Sequence, residues 1–169
     1  MIVLEEYKIE RRVMQSGEIS FDLVPMNERE NYALDSPNRL LYIIKNNHQF
    51  LYVGEAKSNL KNRVSRGFVS YRFWKRNEQA RNGYKGYKWI ELFDQKESII
   101  TLDELSLKCF LFDESRNDDR EFIEAIEGEL VFIIRNQTGQ WPLYQNEIHF
   151  NNKNPDSFKI ANEIFQKIK

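Results

Sequence analysis

Residues 40–54 read Leu40-Leu41-Tyr42-Ile43-Ile44, then Lys45-Asn46-Asn47-His48-Gln49, then Phe50-Leu51-Tyr52-Val53-Gly54. Two short apolar runs, rich in β-branched and aromatic residues, flank one polar stretch. Runs of this length and composition read as buried strands. A five-residue polar loop between them predicts an antiparallel hairpin over 40–46 and 50–55. The turn signal Asp35-Ser36-Pro37-Asn38 marks where the first strand begins.

Outward from this hairpin, Ser58 or Asn59 offers a cap for a helix running to about Phe68, with Leu60 and Val64 four apart on its apolar side. Residues 71–86 read as another helix and a loop, and residues 88–93 and 106–112 as strands. Asp118 or Asp119 offers a cap for a long helix to about Arg135, because Phe122, Ile126, Leu130 and Ile133 recur at helical spacing. Residues 157–168 read as a short amphipathic helix. Upstream, two apolar-rich runs around Ser16-Gly17 predict a further hairpin within 5–25. Strands and helices are mixed, with hairpin-type neighbours. The expected class is therefore α+β, a mostly antiparallel sheet flanked by helices. The 169 residues fit one domain. Its core spans about 38–150, with an N-terminal strand extension over 1–37 and a C-terminal helix over 157–168.

Charge is distributed unevenly. Residues 57–88 carry ten Lys or Arg against one acid, Glu78, a local charge of +9 in a chain of net charge −1. Such a block suggests a polyanion site on one face. Its candidate phosphate contacts are Lys57, Arg66, Arg72, Lys75, Arg76, Arg81, Lys85 and Lys88. They alternate with Phe68, Tyr71, Phe73, Trp74, Tyr84 and Tyr87, which either stack on bases or anchor the segment to the core. For Trp74 the core role is the expectation. The single cysteine, Cys109, excludes an intramolecular disulfide and any Cys-based zinc site, and its apolar surroundings predict a buried, inert thiol. No apolar run approaches the ~20 residues that span a bilayer. The N-terminal stretch gains charge too early for a secretory signal. A cytoplasmic, membrane-free protein is expected.

Tyr42 within Leu41-Tyr42-Ile43, Tyr52 and Gly54 within Tyr52-Val53-Gly54, then Arg63 and a later helical glutamate form a spaced set. In this the chain resembles the GIY-YIG nuclease family over roughly residues 40–146. The resemblance implies a DNA endonuclease with Tyr42, Tyr52, Arg63 and Glu127 as catalytic residues. Glu127 would also be the ligand for one Mg²⁺ or Mn²⁺. Helical geometry alone leaves Glu129 open as the ligand; motif spacing favours Glu127. Gly54, Tyr71 and Asn146 are expected close to the site. Three positions depart from the family pattern. Glu55 follows the glycine where many relatives carry Lys. Gly67 stands where a Tyr or His is frequent, so either Tyr71 substitutes or the role is absent. The closing Pro-x-x-Asn puts Gln145 in register and Asn146 one residue late. Of the two histidines, His48 is expected in a solvated turn, and His149 is a weaker candidate for the site.

The residue types suit phosphodiester cleavage. A phenol near positive charge is expected to have its pKa lowered from ~10, so that it takes a proton from the attacking water. An arginine fork neutralises charge developing on phosphate oxygens. One carboxylate suffices for Mg²⁺ when waters complete its shell, and the ion stabilises the leaving 3′ oxygen. The second reading is a nucleic-acid-binding module of the same fold that does not cut. The partner expected in either case is DNA. Oligomeric state is open, a homodimer among the options, because one such site cuts one strand at a time.

Overall fold

A computed structural model describes residues 3–17, 19–27, 32–80, 82–91, 105–145, 148 and 154–169. The strands are β1 (Val3–Val13), β2 (Ile19–Pro25), β3 (Leu40–Lys45), β4 (Phe50–Ala56) and β5 (Ser106–Leu111). They form one antiparallel sheet of order β2-β1-β5-β3-β4. The helices are a single turn α1 (Tyr32–Asp35), then α2 (Leu60–Asn77), α3 (Arg120–Thr138) and α4 (Pro155–Ile168). The α+β expectation, both hairpins and the long third helix are present.

The β3–β4 turn is closed by Asn46. Its carboxamide oxygen accepts from the His48 and Gln49 amides at 2.9 and 2.7 Å, and its own amide donates to Gln49. Asn46 is thereby buried, while His48 is exposed. One face of the sheet carries Tyr7, Leu40, Tyr42, Ile44 and Leu51 against Leu60, Val64, Phe68 and Tyr71 of α2. The other carries Leu41, Ile43, Val53 and Phe110 against α3 and α4. The alternation along β3 therefore sends Tyr42 toward α2 and its neighbours toward α3.

Two expectations are corrected. The helix expected to end near Phe68 continues to Asn77, where Glu78 closes it with φ 56° and donates its amide to the Trp74 carbonyl. Gly67 reads as a helix end but lies within it. Residues 88–93, expected as a strand, hold a 3-10 turn at Lys88–Ile90. The consecutive side chains Trp89 and Ile90 are both buried there. Residues 92–93 lie outside the described residues. Cys109 is free and fully buried, and burial pushes its thiol pKa up. Among the described residues no helix is long and apolar enough to cross a membrane.

Candidate active site

Among the described strands, β4 is a sheet edge, paired with β3. An uncovered edge is a liability, and the first half is covered by the chain after α3. Leu143 and Tyr144 donate to the Phe50 and Leu51 carbonyls at 3.1 and 2.9 Å, and the Gln145 side chain accepts from the Val53 amide at 3.0 Å. Beyond it opens a cleft of about 550 Å³. Tyr52 and Glu55 from β4, Arg63 from α2, and Arg120, Glu124 and Glu127 from α3 line it. Tyr84, Lys85 and Lys88 from the segment after α2 close it on one side, and Gln145 on the other. Residues far apart in sequence thus share one cavity across the open end of β4.

The aromatic wall is built from phenols. Tyr42 and Gly54 are register partners, and Tyr52 is two residues from Gly54, so all three share the α2-facing side. The Tyr42 and Tyr52 rings lie 5.9 Å apart. Tyr87 donates its hydroxyl to that of Tyr42 at 3.1 Å. Tyr42 and Tyr87 are sealed from solvent, whereas Tyr52 reaches the cleft. A Cβ on Gly54 would lie 2.6 Å from the Tyr52 ring and 2.8 Å from the Tyr42 hydroxyl oxygen. The glycine there makes room for two phenols.

Arg63 is enclosed by these rings. Its guanidinium carbon lies 5.3 Å from the Tyr84 centroid, 5.7 Å from Tyr87 and 5.8 Å from Tyr42. Its Nη1 donates to the Tyr84 hydroxyl at 3.0 Å. The expectation that positive charge lowers a phenol pKa is overturned. Burial pushes Tyr52 up to about 12 and Tyr42 and Tyr87 well above their ordinary value, although Arg63 pulls each down. Desolvation of the phenolate outweighs one cation.

The opposite wall is acidic. Arg120, Glu124 and Glu127 recur at intervals of four and three on α3, which puts them on one side of the helix. Glu129, about 200° further round, does not line the cleft. Glu55, where a cation was the frequent residue, is held by the buried Arg39 at 2.6 Å and faces Arg120 at 3.8 Å. Arg120 also grips Glu124 at 2.7 Å. Glu127 differs from both neighbours. Among the described residues it makes no ion pair, and it accepts one long bond, 3.4 Å, from Gln145 Nε2. Burial, then Glu55 and Glu124, push its carboxyl up to about 8, against the pull of Arg63. A half-buried carboxylate that makes no ion pair among the described residues and is repelled by two others suits a divalent ion. No group of three or more His, Cys, Asp or Glu able to hold a metal occurs among the described residues. Glu127 is the cleft carboxylate that could hold a divalent ion, with waters completing its shell.

Other expected residues fall elsewhere. Tyr71 is buried beside Trp74 and does not line the cleft, since it lies about 80° round α2 from Arg63. Gln145 touches Glu127; Asn146, Arg81 and His149 lie outside the described residues. The basic block does not form one face. Lys85 and Lys88 line the cleft, but Arg72 and Lys61 line a separate depression on the other flank of α2, beside Phe21 and Leu34. Lys57 is exposed and paired with Asp118. Arg66, Lys75 and Arg76 are exposed along α2. The block is spread around a helix, whose turn sends successive charges in different directions. Reading the sequence missed Arg39, Arg120, Tyr84 and Tyr87 as site residues. The first two lie outside the charged block, and the tyrosines read as generic aromatics within it.

Fold and cleft define an α+β protein with a phenol-caged arginine and an acidic wall at an open sheet edge. Comparison with protein-family models, curated proteins and solved structures finds no match to this chain.

Proposed function

We propose that this chain is a cytoplasmic, metal-dependent endonuclease of the GIY-YIG type, hydrolysing DNA phosphodiester bonds. The observation that carries the reading is the meeting of Tyr52, Arg63 and Glu127, from three elements, around one cleft. The family resemblance groups these same residues as a catalytic set. Arg63 binds a non-bridging phosphate oxygen with its fork and neutralises the charge that develops there. Tyr52, a neutral phenol at physiological pH, orients the attacking water by hydrogen bonding. Glu127 holds Mg²⁺ or Mn²⁺, with Gln145 fixing the carboxylate. When bound, the ion supplies positive charge for the leaving 3′ oxygen. Lys85 and Lys88, beside the cleft, contact phosphates on either side of the scissile bond.

The test is incubation with plasmid DNA in Mg²⁺ or Mn²⁺ against EDTA, with Glu127→Gln and Glu129→Gln in parallel. Nicking should need the metal, fall by orders of magnitude in Glu127→Gln and persist in Glu129→Gln. Full metal-dependent cutting by both variants would reject this active site. A second reading, a DNA-binding module that does not cut, draws support from the raised phenol pKa values, which leave no phenolate base. Salt-sensitive DNA retention without nicking would favour it.

A further inference from the structure

Gly86, with φ 73°, lies against the backbone of α2: a Cβ there would be 2.4 Å from the Gly67 carbonyl oxygen and 2.3 Å from the Tyr71 nitrogen. The next residue, Tyr87, donates its amide to that same Gly67 carbonyl at 3.2 Å. Its ring then fills the space where residue 67 would carry a side chain, since a Cβ on Gly67 would lie 2.1 to 2.6 Å from three ring carbons. Two glycines, one in the loop and one in the helix, thus let a loop phenol take a helix residue's place. The ring so delivered does two things. Its hydroxyl bonds Tyr42, and one side of it lies 5.7 Å from the Arg63 guanidinium.

We propose that Tyr87, seated through Gly86 on Gly67, is a positioning residue of the cleft: its hydroxyl holds that of Tyr42, whose ring stands beside Tyr52, and its ring fixes Arg63 toward the substrate phosphate. The proposal rests on the nuclease reading. A phenol hydroxyl turns about its C–O bond unless a partner fixes it. The bond from Tyr87 fixes the Tyr42 hydroxyl, and the Tyr42 ring in turn packs beside Tyr52 at the cleft. The ring's contribution is cation–π attraction in a site that excludes water from one side of the guanidinium.

Tyr87→Phe removes the hydroxyl and keeps the ring; Tyr87→Leu removes both. Tyr87→Phe should lower kcat about tenfold with KM unchanged, the scale of one buried neutral hydrogen bond. In a Tyr42→Phe background it should cost nothing further, because the hydroxyl acts only through Tyr42. Independent multiplicative losses with a matching fall in Tm would mark a merely structural role and overturn the first half. The ring's role is read without cleavage, from the Arg63 Nε–H resonance in labelled protein. That proton should be displaced by ring currents in the wild type and in Tyr87→Phe, and should move toward the exposed-arginine position in Tyr87→Leu. An unmoved resonance in Tyr87→Leu overturns the second half. If wild-type protein cuts no DNA in Mg²⁺ or Mn²⁺, the nuclease reading fails and with it the kinetic role, while the resonance still decides whether Tyr87 holds Arg63.

Discussion

Gly54 and Glu127 show how much of a site can rest on single residues. Gly54 was legible as the close of a strand; that it underlies two phenols was not, because the crowding comes from Tyr42 across the ladder. Gly54→Ala should displace both rings. Overpacking of this kind costs about 1–3 kcal/mol of stability. Misplacement by ~1 Å can cost ~10²-fold in rate. The expected result is a folded protein by circular dichroism that retains DNA in EDTA and cuts at least ~10²-fold more slowly. For Glu127 the sign of the pH effect follows from the folded value of about 8 against an ordinary 4.5. Without metal the folded chain keeps a proton that the unfolded chain releases. Stability should therefore fall as pH rises from about 4.5 to about 8, and level off above. A divalent ion competes with that proton. The Mg²⁺-induced rise in Tm should be larger at pH 8 than at pH 6, and absent in Glu127→Gln at both. Equal gains in wild type and variant would remove Glu127 as the ligand.

At the scale of elements, what sequence revealed was local and what it missed was not. The β3–β4 hairpin announced itself through two apolar runs and a polar turn. Helix α3 announced itself through its apolar period, and Asp119 does cap it, accepting from the Phe122 amide at 3.3 Å. The second half of α2 read as a separate helix and loop because a mid-helix glycine costs about 1 kcal/mol relative to alanine and interrupts the pattern. The compensation comes from Tyr87, twenty residues on, which no period in α2 reports. A reversal of the usual sign follows. Gly→Ala inside a helix ordinarily stabilises, yet Gly67→Ala should destabilise by about 1–3 kcal/mol, since the new methyl meets the Tyr87 ring. In a Tyr87→Leu background, where a smaller side chain can yield, most of that loss should disappear. Urea melts of the two single variants and the double variant measure the coupling. Additive losses would mean that the ring does not occupy this space.

For the molecule as a whole, charge and layer order together decide where a polyanion can lie. The sheet separates α2 from α3 and α4, and the cleft sits where these layers part beyond the β4 edge. Composition alone gave a basic block of +9; the fold divides it between the cleft side and the opposite flank of α2. Only charges near the bound backbone release counterions, so the salt dependence of binding can distinguish the two flanks. Lys85→Ala with Lys88→Ala should weaken DNA retention and reduce the slope of log affinity against log salt by up to ~1.8, about 0.9 for each lost phosphate contact on duplex DNA. Lys61→Ala with Arg72→Ala removes the same formal charge from the other flank and should leave the slope nearly unchanged. Long-range attraction cannot mimic this difference, since at 0.15 M salt it is screened beyond ~8 Å. Fluorescence anisotropy with a labelled duplex between 50 and 200 mM salt, in EDTA so that nothing is cut, reads both slopes. If the flank pair flattens the slope as much as the cleft pair, DNA wraps α2 rather than entering at the β4 edge, and the path proposed past Lys85 and Lys88 is wrong.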